Sequence, residues 1–313
     1  MARRASIERA AGLALLLLAG PAAAVEPPVD PLPVVEIAPG DYVHHGLHEE
    51  IAPDDGGDIA NVGFIVGEQA VAVIDTGGSA RIGARLLAAI RRVTDLPIRY
   101  VVNTHVHPDH VFGDAAFEAS GAQFVGHANL PRALAARGAY YLAELQRTLG
   151  AAAEGSRVVA PDITVADRAT LELGGRTLEV VAWPAAHTDN DLTVYDRASG
   201  TLWAGDLLFL KRTPVIDGSL NGWLAAIDEL RRLPAERVVP GHGPVSAPWP
   251  RALDAEAGYL STLRDEIRRI IARGGTIEQA LKTAGQGSRA DWLLFDRTNA
   301  RNVVTAFTEL EWE

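Results

Sequence analysis

Asn103-Thr104-His105-Val106-His107-Pro108-Asp109-His110 is the stretch on which the reading of this chain turns. Three histidines and one aspartate follow directly on residues 98–102 (Ile-Arg-Tyr-Val-Val), which have the composition of a buried strand. A strand delivers side chains to a fixed place, and the loop at its end turns them inward. His105 and His107 are two apart, so on extended backbone they point the same way and can bind one ion. Pro108 fixes a turn after which Asp109 and His110 reach a second position close by. Imidazole together with carboxylate is the donor set of zinc or iron.

Working outward, further ligand types stand in similarly punctuated loops. His187 lies in Trp183-Pro184-Ala185-Ala186-His187-Thr188-Asp189-Asn190-Asp191, and His242 in Val238-Val239-Pro240-Gly241-His242-Gly243-Pro244. Asp206 closes Trp203-Ala204-Gly205-Asp206 just past an apolar run. Each follows a short strand-like segment, where open α/β sheets place their ligands.

The segments between these loops set the fold class. Residues 41–44, 59–66 and 70–74 read as strands, with Gly67-Glu68-Gln69 as a hairpin turn. Ser79 caps a helix whose apolar positions Ile82, Leu86, Leu87 and Ile90 recur at helical spacing. Residues 123–125 are a further strand and 128–150 a helix. The second half repeats the plan. Residues 168–173 and 176–182 form a hairpin across Gly174-Gly175, strands follow at 192–195, 201–204 and 237–239, and helices at 219–233, 250–273, 276–283 and 291–310. Two β-rich halves that each end strands at metal-type residues predict an α/β protein, an αββα four-layer sandwich with the site at the seam.

Composition bounds the rest. The 313 residues are 48% hydrophobic, ample for a large core. Arg3 and Arg4, an apolar run from Gly12 to Gly20, and Ala22-Ala23-Ala24 give residues 1–24 the form of a cleavable export signal, too short to span a membrane. The expected location is the periplasm, with the Sec or Tat route undecided. Removing that segment takes away three arginines and one glutamate, so the formal charge of −11 becomes −13 (26 basic against 39 acidic residues). Such a charge argues against nucleic acid or an anionic lipid surface as partner. The chain has no cysteine, which excludes disulfides, thiolate ligands and a cysteine nucleophile. Residues 25–40 read as a Pro-rich lead-in outside the core, 41–250 as the main domain, and 251–313 as a C-terminal helical extension packed on it.

The ordered set His105-Val106-His107-Pro108-Asp109-His110, His187, Asp206 and His242, with Asp75-Thr76-Gly77 and Pro240-Gly241-His242-Gly243, resembles the metallo-β-lactamase superfamily. The resemblance spans roughly residues 34–250. It implies the metallo-β-lactamase/hydroxyacylglutathione hydrolase fold and two Zn²⁺ per chain. His105, His107 and His187 would hold one zinc, Asp109, His110 and His242 the second, and Asp206 would bridge them. Val43-His44-His45-Gly46-Leu47-His48-Glu49-Glu50 and Gly57-Asp58-Ile59-Ala60-Asn61 are similar to one exported branch, the quinoprotein relay system zinc metallohydrolases, related to sulfur-oxidation hydrolase-like proteins. That likeness implies association with a quinoprotein dehydrogenase. Two departures argue against antibiotic hydrolysis. Asp206 stands where many β-lactamases have a cysteine, and Phe209 where many have a substrate-binding lysine.

The implied chemistry is hydrolysis of a small-molecule substrate. Two cations sharing one oxygen bring hydroxide near neutral pH, to attack an ester, thioester, lactone or amide carbonyl. Asp109 would bind metal and also orient the nucleophile or carry its proton. Asp75 is expected near the site as a supporting carboxylate, Asn190 and Asp191 as supports of the His187 loop, and His45 and His48 as substrate contacts on a hairpin. The bland alternatives are a polar loop for 103–110, a turn carboxylate for Asp75 and an exposed polar turn for 44–48. Trp183 and Trp223 read as core. Two other functions compete: a mononuclear iron oxygenase acting on sulfur, and a non-catalytic accessory protein of a quinoprotein system.

Overall fold

The computed structural model describes residues 29–313; the expected export segment, residues 1–24, lies outside the described residues. Two sheets form the centre. The first runs β1 (Val35–Ala38), β2 (Asp41–His44), β3 (Val62–Val66), β4 (Val71–Ile74), β5 (Ile98–Val102), β6 (Gln123–His127) and β7 (Ile163–Val165), neighbours in that order. β1 to β4 form an antiparallel meander, and β4 to β7 pair parallel. Parallel neighbours need crossovers. These are α1 (Ala80–Val93), the short α2 (Pro108–Val111) and α3 (Leu130–Leu149). Ser79 caps α1 as its sequence predicts, accepting from the Ile82 N–H.

The second sheet runs β8 (Arg168–Glu172), β9 (Thr177–Ala182), β10 (Leu192–Asp196), β11 (Thr201–Phe209), β12 (Arg237–His242) and β13 (Ala247–Pro248). β11 and β12 pair parallel, with α4 (Leu220–Leu230) as the crossover. Three more helices follow: α5 (Asp254–Ile271), α6 (Ile277–Thr283) and α7 (Phe295–Leu310).

Strand periodicity divides the apolar residues into layers. On β3 and β4, Phe64, Val71 and Val73 pack with Ile82, Leu86 and Ile90 of α1. Their neighbours Ile65, Ala72 and Ile74 pack against Leu178, Val180, Val194 and Trp203 of the second sheet. The other face of that sheet (Leu202, Ala204, Val238) packs on Trp223 of α4, Leu260 and Leu263 of α5, and Val303 of α7. β11 is therefore covered on both faces and buried throughout. The result is the αββα four-layer sandwich, and residues 251–313 share its core.

The structure corrects several expected boundaries. The 25–40 stretch is not only a lead-in: β1 lies within it, Leu32 is buried, and the Leu32 N–H donates to the Arg85 carbonyl at 3.1 Å. β3 starts at Val62, because residues 59–61 leave the ladder to brace the opposite sheet. β11 runs on through Asp206 to Phe209, and β12 through His242, so both polar residues sit in strands, not after them.

At one end of the inter-sheet seam, Arg176 from the β8–β9 turn reaches across to the first sheet. It donates to Asp41 Oδ1 (2.8 Å) and to the carbonyls of Pro39 (3.0 Å) and Val66 (2.8 Å), and to Asp196 Oδ2 through Nε (3.2 Å).

Candidate metal centre

The other end of the seam collects the metal-type residues. β5 feeds the loop holding His105 and His107, and Pro108 starts α2, whose single turn carries Asp109 and His110. His187 comes from the β9–β10 loop, Asp206 from β11 and His242 from the end of β12. His105, His107, His187 and Asp206 form one group, and Asp109, His110 and His242 a second; within each group the candidate ligand atoms lie within 4.8 Å of one another. Asp206 faces both groups. Its Oδ2 is 3.6 Å from His105 Nε2, 3.5 Å from His187 Nε2 and 3.4 Å from His242 Nε2, and its Oδ1 is 3.3 Å from His110 Nε2. The sequence-predicted set thus meets in one place.

The outward ring nitrogens decide what the inward ones can do. His187 Nδ1 donates to the Val215 carbonyl (2.7 Å) and His242 Nδ1 to the Ile59 carbonyl (2.8 Å). His110 Nδ1 donates to Asp75 Oδ2 (2.8 Å) and His107 Nε2 to Asp217 Oδ2 (3.1 Å). A neutral imidazole with one N–H committed carries a bare lone pair on its other nitrogen. The inward nitrogens of His187 and His107 are then two lone pairs 2.9 Å apart. His105 Nε2 is 3.1 Å from the same His107 nitrogen. In the second group, His242 Nε2 faces Asp109 Oδ2 at 3.3 Å. His110 Nε2 and Asp206 Oδ1 are both buried and make no hydrogen bond among the described residues. Lone pairs and carboxylate oxygens aimed at one another repel, and a cation between them removes the repulsion. The donor set fits divalent metal of the N/O-liganded kind.

Burial and neighbouring charge pull the titration of these rings in opposite directions, and which one wins differs from ring to ring. Burial pushes His187 down to about 3 and His105 well below the usual imidazole range, which keeps both neutral. At His110 burial also works downward, but Asp206, Asp75 and Asp109 outweigh it and hold the value well above the usual range.

Two of the three supporting groups named from the sequence hydrogen-bond to the cluster or to its loops. Asp75, in the left-handed region at φ 55°, accepts from the Thr104 N–H (2.7 Å) and Thr104 Oγ1 (2.8 Å) as well as from His110. A non-glycine residue held there marks a site the surroundings over-determine. Asp191 ties the His187 loop by accepting from the Thr188 N–H (2.9 Å) and hydroxyl (2.6 Å); Asn190 donates its amide to Asp189 Oδ1 (2.9 Å). The 44–48 segment differs. His44 turns away to the Pro33 carbonyl (2.8 Å) and Asp58 (2.6 Å). His45 and His48 meet edge to face with ring centroids 5.2 Å apart, and the residues here that line the cleft over the cluster are Glu50 and Ile51.

Three residues outside the predicted set belong to the site. Asp217 orients His107, and it also pairs with Arg137 and Arg301. Burial works to raise it, but the His107 hydrogen bond and the two guanidiniums outweigh that and hold it well below the usual carboxylate range. It stands before the Ser219-capped helix in an ordinary Val-Ile-Asp-Gly run, with no local signal. Asn61 clamps the His242 loop, donating to the Pro240 carbonyl (2.9 Å) while its backbone N–H donates to Gly241 O (2.7 Å). Gly241 itself has no room for a side chain, because β11 lies against it: a Cβ there would stand 1.8 Å from Asp206 Oδ1. Phe209, at the position noted for its missing lysine, stacks on the His242 ring with centroids 5.0 Å apart.

The chain is similar to several known proteins. A linear primary-alkylsulfatase from Pseudomonas sp. is 27% identical over 220 residues, covering 58% of this chain and 41% of that protein. A hydroxyacylglutathione hydrolase from Methylococcus capsulatus is 26% identical over 175 residues, covering 55% of this chain and 59% of that protein. The chain thus spans about half the length of the curated relatives it matches. Among solved structures, a stereoselective inverting sec-alkylsulfatase from Pseudomonas sp. superposes with a TM-score of 0.66 at 17% identity, covering 88% of this chain and 49% of that one. A metallo-beta-lactamase from Pontibacter korlensis gives 0.60 at 24% identity, covering 74% and 99%; these two show the fold. The model of the metallo-beta-lactamase superfamily matches residues 55–242, from the loop before Asn61 to His242 itself. With more than half of its length inside that match, the chain belongs to the metallo-beta-lactamase superfamily.

Proposed function

We propose that the protein is a binuclear zinc hydrolase of a small-molecule ester, thioester, lactone or amide. His105, His107 and His187 hold one ion, Asp109, His110 and His242 the other, and Asp206 stands between them. The observation that carries the reading is the convergence of imidazole lone pairs whose outward nitrogens are all committed, with His107 and His187 only 2.9 Å apart. When bound, such a pair supplies Lewis acidity and brings the pKa of a water toward neutrality. The protein's own groups do the rest. Asp75, Asp217 and the carbonyls of Ile59 and Val215 keep four rings aimed inward. Asp109, buried on α2, turns Oδ2 to His242 and His110, which leaves Oδ1 as the oxygen to take the proton of the attacking water and pass it to the leaving group. Phe209 and Trp223 wall the His187 side with apolar surface, which strengthens electrostatics inside the cleft.

The similarity to two alkylsulfatases supports a second substrate arm, a sulfate ester on the same site. We further propose export to the periplasm and association with a quinoprotein dehydrogenase, on the sequence pattern of residues 1–24 and 43–61. Among the described residues no helix is long and apolar enough to cross a membrane.

Elemental mass spectrometry on the purified protein, followed by a panel of carbonyl and sulfate esters, tests the reading. About two zinc per chain with turnover supports it. About one iron and little zinc would replace it with oxygen chemistry on sulfur. A fully metallated protein inert on the whole panel would point to a non-catalytic accessory role.

A further inference from the structure

The cleft over the cluster has a volume of about 850 Å³, and apart from the candidate ligands its lining is net basic, in a chain that is net acidic. The chain as a whole is −11. Five arginines line the cleft: Arg137 and Arg147 from α3, Arg212 from the loop after β11, and Arg297 and Arg301 from α7. Beyond the candidate ligands Asp109 and Asp206, the acidic lining residues are Glu50, Glu144 and Asp217. Glu144 is taken by Arg147 on its own helix. Asp217 is shared by Arg137, Arg301 and His107, and one carboxylate neutralises only one of those two guanidiniums. Arg212 donates to an uncharged partner, the Glu49 carbonyl (3.3 Å), and Arg297 makes no ion pair among the described residues. Both therefore have donors to spare.

The two arginines on α7 are held in place, not trailing on a loose end. Arg297 and Arg301 are four apart, so they share a helix face. The chain just ahead of that helix is stitched to the loop that also carries Asp217: the Leu293 N–H donates to the Lys211 carbonyl (2.7 Å), and the Thr213 N–H and hydroxyl donate to the Leu293 carbonyl (3.0 and 2.7 Å). Further along, Asn302 accepts from the Ile216 N–H (2.9 Å) and donates to the Pro214 carbonyl (2.6 Å). Arg297 and Arg301 themselves lie beyond 55–242, the part matched by the family model. Two guanidiniums on one face of an anchored helix suit an oxyanion, which each can grip through paired N–H groups.

We infer that the substrate bears an anionic group, a carboxylate, sulfate or phosphate, held by Arg297 and Arg301 of the C-terminal helix with Arg212 beside them. That the same molecule places its scissile bond over the cluster rests on the hydrolase reading; the anion site itself does not. Ile51, Tyr140 and Val215, which also line the cleft, accommodate the body between the two ends.

Calorimetric titration of the purified, metal-loaded full-length protein tests the site without requiring turnover. The probes are succinate, methyl sulfate and methyl phosphate, each against an uncharged counterpart (succinamide for succinate). At least one anion should bind roughly tenfold or more tighter than its neutral counterpart, and Arg297→Ala/Arg301→Ala should bring that ratio to within about threefold of one. Which anion gives the largest ratio identifies the oxyanion class. Arg297→Ala alone, which removes no ion pair found here, serves if the double variant fails to fold, and should lower the ratio in the same direction. No preference for anions in the native protein overturns the inference, and so does a preference that the arginine variants leave intact, since the metals alone would then hold the anion. An arginine-dependent preference in a protein that hydrolyses nothing would keep this site and remove the hydrolase reading.

Discussion

The seam between the sheets gathers buried aspartates at both of its ends, and the two ends treat them differently. At the first, Asp41 and Asp196 meet Arg176, which reaches across from the opposite sheet. Even beside that guanidinium, burial pushes Asp41 up to about 6. At the second, Asp75, Asp109 and Asp206 are equally buried, and their ion-pair partners among the described residues are all histidines. Buried charge is costly unless it is paired. One end therefore carries its cation in the chain and is structural. The other leaves the position between its ligands to a cation from outside. The same residue types give a clasp or a metal centre according to whether an arginine reaches them.

Four measurements break or sharpen that contrast. Arg176→Ala strands Asp41 and Asp196 in the seam and should cost about 3–5 kcal/mol in denaturant unfolding, with metal content unchanged. A parallel loss of metal would show that the two ends are not independent. His107→Ala should lower bound metal and any hydrolysis by more than the ~100-fold that loss of an outer partner costs, while His45→Ala spares metal; equal metal in His107→Ala and the native protein would remove His107 from the centre. Asp217→Asn keeps the shape but not the charge behind His107, and competition with a chelator should show metal affinity falling by roughly tenfold to 100-fold. The smallest effect concerns Asp114, which accepts from Thr76 Oγ1 (2.8 Å) and Asn103 Nδ2 (2.9 Å) through Oδ1 and whose value burial pushes up to about 8. Its folded value lies above its unfolded one, so its contribution is complete below the ordinary carboxylate range and is lost as pH rises through about 8. Asp114→Asn keeps the Oδ1 acceptor and should raise the melting temperature at pH 9 relative to native by the equivalent of ~1–2 kcal/mol, with no gain at pH 4.

The site was legible where its ligands are close in sequence or stand in punctuated loops. Residues 105–110 declare themselves by spacing, and Pro240-Gly241-His242 by a glycine whose close approach to Asp206 the structure explains. Asp217 was not legible, because an outer carboxylate needs only to reach one ring nitrogen and any loop can supply it. The fold was legible from strand alternation and the Ser79 cap. The edge strand β1 was hidden by the prolines around it, and the full length of β11 by the expectation that a polar ligand ends a strand. Burial on both faces allows Asp206 inside one. Nor did the sequence show that α7 turns back to the cleft, since that depends on Leu293 and Asn302 meeting a loop some 80 residues earlier.

The bond from His242 to the Ile59 carbonyl joins residues 183 positions apart, and Asn61 spans nearly the same distance to reach Pro240. Contacts so remote along the chain form late, because loop-closure entropy is spent before they return anything. A nascent chain offers a cation only the 105–110 loop; the rest of the cage arrives when the two sheets dock. Metal capture is therefore the closing event of folding, and the compartment in which the sandwich finally assembles is the one that chooses the ion.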